Sequence, residues 1–179
     1  MFPLLDLPAV DLVVYPRSRP KSTVGIGGRS FGAHRAMIWI DPVNESLQCD
    51  CERRLASAIA HELHHCVRYA KGHRRTTLED NVIAEGLACQ FEKEVSGEPP
   101  FYMELFPDDI NRYLPRYRLD RLARQFDYSA WFRGSCPEVL PKYVGYAIGY
   151  DLVGKHIQRT GIPASRLANT LANEFDADA

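Results

Sequence analysis

Apolar and polar positions change period near residue 50. Before it, two short runs rich in β-branched and aromatic residues read as strands: Asp11 to Tyr15 (DLVVY), ended by Pro16, and Ala36 to Ile40 (AMIWI), ended by Asp41-Pro42. They frame a stretch with Gly25, Gly27, Gly28 and Gly32 that reads as a loop. From Asp50 onward Leu55, Ile59, Leu63, Cys66, Val67 and Ala70 recur at three- and four-residue steps before Gly72, which predicts a helix over roughly 51 to 70. A second helix is predicted from about Leu78 to Val95. Thr76 or Thr77 is its N-cap, Glu79 and Asp80 occupy its first turn, and Gly97 lies beyond its end. Between Pro99 and Pro141 proline, tyrosine and arginine blur the period, and helical pieces are expected around 108 to 114 and 119 to 126. A last helix is expected from about Tyr143 to Thr160, closed by Gly161 and Pro163, with a short one near 164 to 174. There are no internal repeats or linkers.

Length and composition narrow the classes. A chain of 179 residues suits one domain with one core, spanning 1–179. The formal net charge of −1 argues against a surface built to neutralise phosphates, so no nucleic-acid partner is expected. The apolar opening from Met1 to Pro16 is broken by Asp6, Asp11, Pro3 and Pro8, so neither a signal peptide nor a membrane span is expected. Cys49, Cys51, Cys66, Cys89 and Cys136 form an odd set without framework spacing, which fits free thiols and a cytoplasmic location. Nucleotide binding is not expected of the glycine stretch either: GIGGRS lacks the third glycine of a dinucleotide fingerprint, and no helical pattern follows it.

Candidate chemistry lies on the first helix. His61-Glu62-Leu63-His64-His65 matches H-E-x-x-H. At ~100° per residue His61 and His65 stand only ~40° apart, so both imidazoles can face one cation. Glu62 falls ~60° beyond His65, on the flank of that pair, where it can act as general base toward a metal-bound water without displacing it. His64 lies on the far side of His61, ~160° from Glu62, so a metal held there would leave the carboxylate out of reach. The expected ligands are therefore His61 and His65, with His64 a neighbour. The apolar stripe of this helix centres nearly opposite His61, so the histidine face is expected to point to an open side.

A hydrolytic zinc site has three protein ligands and one open position. Glu85 is the candidate third ligand. On the second helix it falls among Leu78, Val82 and Cys89, away from the polar stripe of Glu79, Gly86, Gln90, Lys93 and Glu94. A carboxylate on a buried face needs a partner, either a metal or an arginine. Gly86 beside it leaves room for a close helix approach. His73 and His156 lack a companion at chelating spacing, and Cys49-x-Cys51 is not a zinc spacing.

HELHH, then TLEDNVIAEGLACQFEKEVSG, then PKYVGYAIGYDLV together resemble the predicted zinc-dependent protease family known as domain of unknown function 2268, and more broadly the gluzincins. The resemblance implies a zincin-like α+β fold: a small sheet, the HExxH helix beneath it and a glutamate helix that completes a zinc site. It implies that the strand Ala36 to Ile40 is an edge that binds substrate backbone. It also implies a tyrosine near the last helix that donates to the oxyanion, for which Tyr146 is chosen over Tyr143 and Tyr150, with core packing the plainer role for all three. Families of this kind often carry Asp four residues after the ligand glutamate to orient a ligand histidine. Here that position is Cys89, so Asn81, Asp80 or a backbone carbonyl would have to substitute.

The expected function is a zinc-dependent peptidase acting on a peptide or protein, with Glu62 and Tyr146 catalytic and His61, His65 and Glu85 on Zn2+. A catalytically silent zincin-like domain that binds peptides or regulates a partner is the alternative, and hydrolysis of another amide or ester a lesser one.

Overall fold

Among the described residues three strands, β1 (Asp11–Pro16), β2 (Ile26–Ser30) and β3 (Arg35–Ile40), precede seven α-helices: α1 (Glu45–Gln48), α2 (Cys51–Ala70), α3 (Leu78–Ser96), α4 (Phe101–Glu104), α5 (Leu114–Asp120), α6 (Tyr128–Arg133) and α7 (Val144–Thr160). This computed structural model describes residues 5–17, 24–104, 106 and 109–175. The fold is α+β, with a small sheet at one end of a mostly helical chain.

The sheet has the order β1-β3-β2, with β1 parallel and β2 antiparallel to β3. Two corrections follow. Residues 26–30, read as loop, are a strand. Their glycines answer to space: a Cβ on Gly27 would lie 2.5 Å from the Trp39 ring, and one on Gly28 would lie 2.6 Å from Cγ of Glu62. Strand β3, read as an open edge, is central and paired on both sides.

The edge that runs along α2 is β2. Phe31 N–H donates to Arg35 O and Asp41 N–H to Gly25 O, so the odd-numbered residues of β2 face β3. Ile26, Gly28 and Ser30 therefore turn their peptide groups outward. Their side-chain face meets α2: Ile26, Ile38 and Leu47 cluster with Leu55, Ala58 and Ile59, while Cys66 Sγ reaches Arg35 O. Chain direction in β2 thus follows that of α2, with Ile26 near the first half of the helix and Gly28 beside Glu62.

Helix α3 runs as predicted and is capped by a reciprocal box in which Thr77 accepts from Asp80 N–H while Asp80 accepts from the Thr77 N–H. It is buried nearly all round because α2 packs on one side and α7 on the other. Leu78, Val82, Ile83 and Leu87 are fully buried with Val144, Ile148 and Leu152 of α7, each contributing roughly 1.5–3 kcal/mol of transfer free energy. A Cβ on Gly86 would lie 2.2 Å from Gly149 O and one on Gly149 2.1 Å from Val82 O. The close approach expected at Gly86 is therefore to α7 rather than to α2.

The middle of the chain departs furthest from expectation. Residue 108 lies outside the described residues; 110–112 is a 3-10 turn, and α5 begins at 114. The piece expected over 119 to 126 stops at Asp120, because the carbonyls of Arg121 and Ala123 turn to accept the N–H groups of Glu79 and Leu78 at the start of α3. Helices α1, α4 and α6 were not anticipated, and 164–174 holds two 3-10 turns (Ala164–Arg166 and Ala172–Glu174) instead of a helix. Among the described residues no helix is long and apolar enough to cross a membrane.

Candidate metal centre

Helices α2 and α3 bring together the three residues expected to hold a metal. Nε2 of His61 lies 3.0 Å from Oε2 of Glu85, Nε2 of His65 lies 3.4 Å from the same oxygen, and the two nitrogens are 3.1 Å apart. Tetrahedral zinc with bonds near 2.0–2.1 Å separates its ligand atoms by about 3.3 Å. The donor set therefore fits zinc. Two facing imidazole nitrogens hydrogen-bond only if a proton sits between them, whereas a shared cation satisfies both.

The protonation directions express the same geometry. Burial alone would push His61 down, but hydrogen bonds with Cys89, Glu85 and Glu92 outweigh it and hold the ring well above the usual histidine range. Burial lowers His65 to about 4. Glu85 is also buried, yet the Arg75 guanidinium and the two imidazoles hold its carboxyl well below the ordinary value. Its Oε1 accepts from Arg75 Nη2 while Oε2 faces the histidines. An arginine partner and an oxygen turned to the two histidines thus coexist on one carboxylate.

The orienting partner of His61 is Glu92, whose Oε1 lies 2.6 Å from Nδ1 and also accepts from Tyr102 OH at 2.8 Å. The substitutes considered from the sequence have other partners. Asp80 belongs to the α3 cap, and Asn81 Oδ1 accepts from Arg75. Cys89 sits beside His61 with its thiol pushed by burial up to about 12, so it stays protonated. With Glu92 and His61 it forms a second set of donor atoms close enough for a metal. Glu92 was legible in principle: seven residues beyond Glu85, two helical turns on, it falls ~20° from it on the wheel. Arg75 lies between helices and Tyr102 in the four-residue α4, too short to show a period, so neither had such a signal.

Glu62 is buried beneath β2, where a backbone hydrogen bond from Ser30 reaches its carboxylate and burial raises its pKa to about 7. The histidine face of α2 was expected to point to an open side. Instead His61, Glu62, His64 and His65 are all buried, while Leu55, Ile59 and Leu63 are only partly so. The polar face of α2 meets α3 and the wall of a cleft of about 950 Å³. His64 turns away from the cleft, its Nε2 3.3 Å from Ala164 O and its ring 5.6 Å from Phe91.

Tyr146 lines the cleft, its ring 6.5 Å from that of His61 and stacked at 4.7 Å on Tyr102. Burial and the neighbouring Glu85 charge hold its hydroxyl well above the usual tyrosine range, so it remains a donor. Tyr143 lines the same cleft, whereas Tyr150 does not. His156 packs against Phe175, 4.6 Å between rings, and lies outside the cleft lining.

Comparison with known proteins gives these residues a context. Over 160 residues the chain is 29% identical to the "Uncharacterized protein YjfC" of Bacillus subtilis (strain 168), covering 81% of this chain and 51% of that protein. The chain thus spans about half the length of this relative. No solved structure matches this chain. The model of the family described as "Predicted Zn-dependent protease (DUF2268)" matches residues 3–176, nearly the whole chain, including both helices that carry the histidines and glutamates, and the chain belongs to that family.

Proposed function

We propose that this protein is a zincin-like, zinc-dependent peptidase in which His61, His65 and Glu85 hold the metal and Glu62 is the general base. The observation that carries this reading is the convergence of three buried donor atoms at 3.0, 3.1 and 3.4 Å, the spacing zinc requires. Zinc bound there would supply Lewis acidity, lowering the pKa of a water and polarising the scissile carbonyl.

The chain's own residues supply the remainder. Glu62 takes the proton of the attacking water and returns it to the departing amine. A carboxyl raised to about 7 by burial is matched to both transfers near neutral pH. The Tyr146 hydroxyl, kept protonated, donates to the oxygen on which charge develops. Glu92 accepts from His61 Nδ1, which turns Nε2 toward the metal position, and Tyr102 braces Glu92. Substrate backbone adds to the outer edge of β2 through Ile26 and Gly28, the edge that lies over Glu62.

The test is Glu62→Gln. Glutamine keeps the shape but cannot accept a proton at neutral pH. Zinc content should remain near one per chain while turnover of a peptide library falls by a factor on the order of 10² to 10⁴. Full zinc with undiminished turnover would sink Glu62 as the base. A zinc-loaded wild type that binds peptides and cleaves none would replace the peptidase reading with a silent peptide-binding domain.

A further inference from the structure

The floor of the cleft is one stripe of α2. Arg54, Ser57, Ala58, His61, Glu62 and His65 all line it. On the helical wheel Arg54 points within ~20° of both His61 and His65, two turns nearer the helix start. Ser57 and Ala58 between them are small, so nothing bulky on α2 separates the guanidinium from the metal position.

Arg54 stands out by its state. Its Nε and Nη1 are buried and have no hydrogen-bond partner among the described residues. Its neighbour Arg53 is paired with Asp50, and Arg75 is committed to Glu85. A buried cationic donor without a partner is more costly than a neutral one, and native structures keep such groups where a ligand or substrate completes them. The surroundings have the same sign. Arg29, Arg133 and Lys142 also line the cleft, held over aromatic rings at 5.1, 5.4 and 4.5 Å, whereas the acidic residues lining it among those described, Glu62, Glu85 and Glu92, belong to the metal centre. In a chain of net charge −1 this basic lining is local.

The geometry points to a carboxylate subsite: Arg54 receives a carboxylate of the peptide that lies along β2. The inference rests on the peptidase reading for the position of the scissile bond. Arg54 lies at the Ile26 end of the β2 edge, because that edge follows α2. Seven helical residues rise about 10.5 Å from Arg54 to His61, the span of about three residues of extended chain. The acidic group therefore sits two to four residues from the cleaved bond, on one side of it only.

Binding reads this without turnover. Amidated, fluorescein-labelled octapeptides carrying a single Glu at successive positions of a neutral frame, and the same peptides with Gln, are titrated onto the zinc-loaded Glu62→Gln protein by fluorescence anisotropy. A free-acid version of the Gln peptides distinguishes a terminal carboxylate from a side chain. Either source should bind about tenfold or more tightly than its neutral counterpart, as a charged hydrogen bond predicts. Arg54→Gln should collapse that ratio, and Arg54→Glu should shift it toward Lys-bearing peptides. Equal binding of all three peptide sets by the unsubstituted Arg54 protein overturns the subsite. Products of the wild type, read by mass spectrometry, keep the two readings apart. Cleavage with no acidic preference removes the subsite and leaves the peptidase. A Glu preference in binding with no cleavage by the zinc-loaded wild type removes the peptidase and leaves the subsite.

Discussion

Glu92 accepts from Nδ1 of His61 at 2.6 Å while the opposite nitrogen of that ring faces Glu85 at 3.0 Å. One imidazole is thereby clamped between two carboxylates of a single helix. The clamp fixes the ring's orientation and turns Nε2 toward Glu85 and His65.

Replacing Glu92 with Gln should keep the shape and weaken the clamp. Zinc affinity is expected to fall about 10- to 100-fold, the usual cost of losing a ligand's hydrogen-bond acceptor. Competition against a chromogenic chelator measures it, with circular dichroism to confirm the fold. Unchanged affinity would show that His61 orients without Glu92.

His64 and His65 are neighbours in sequence with opposite roles in space. His65→Ala should strip zinc. His64→Ala should retain it and lower the melting temperature, because His64 is fully buried against Phe91 and its removal leaves a cavity. For the third ligand Glu85→Gln is the better variant, since alanine would also leave Arg75 buried and unpaired. Elemental analysis beside thermal melts reads both effects. Zinc lost from His64→Ala and kept in His65→Ala would reverse the pairing.

Gly28 has no room for a side chain, since an added Cβ would meet Glu62 at Cγ, 2.6 Å, and Oε1, 2.7 Å. Gly28→Ala should displace that carboxylate while the metal donors on α2 and α3 stay in place. Zinc stoichiometry near wild type with kcat reduced tenfold or more is expected, on the order of what misplacing a catalytic group costs. A Gly28→Ala enzyme with normal kcat would show that Glu62 and β2 do not need this contact.

Asp80 gives a pH-dependent stability. Burial would raise its carboxyl, but hydrogen bonds from Thr76 and Thr77 outweigh it and hold its pKa below the ordinary aspartate value in the folded chain. A depressed folded pKa contributes stability above the unfolded value and loses it as pH falls through the folded one. Asp80→Ala should therefore melt at lower temperature than wild type at pH 7, and the gap should narrow as pH drops below about 4. A gap that is constant from pH 7 to pH 2 would assign the loss to something other than this charge.

The clustering of His61, His65 and Glu85 between α2 and α3 was legible because helical geometry is local. A spacing of four puts His61 and His65 on one stripe whatever surrounds them, and Glu85 declared itself as a carboxylate on an apolar face. The N-cap, narrowed to Thr76 or Thr77 and found at Thr77, and the stop at Gly97 were legible for the same reason. Tertiary packing decided the rest. Strand β2 exists because Trp39 and Glu62 occupy the space its glycines leave, contacts made by residues 12 and 34 positions away. Once β2 is a strand, β3 becomes central and the edge beside α2 belongs to β2. The polar face of α2 is buried because α3 covers it, and α3 can be covered in turn because Gly86 and Gly149 let α7 approach to backbone contact. The convergence of Glu92, Tyr102, Arg75 and Arg54 on one cleft follows from those packings, since a local pattern determines which way a side chain points along its own element and only the packing of elements determines what it meets.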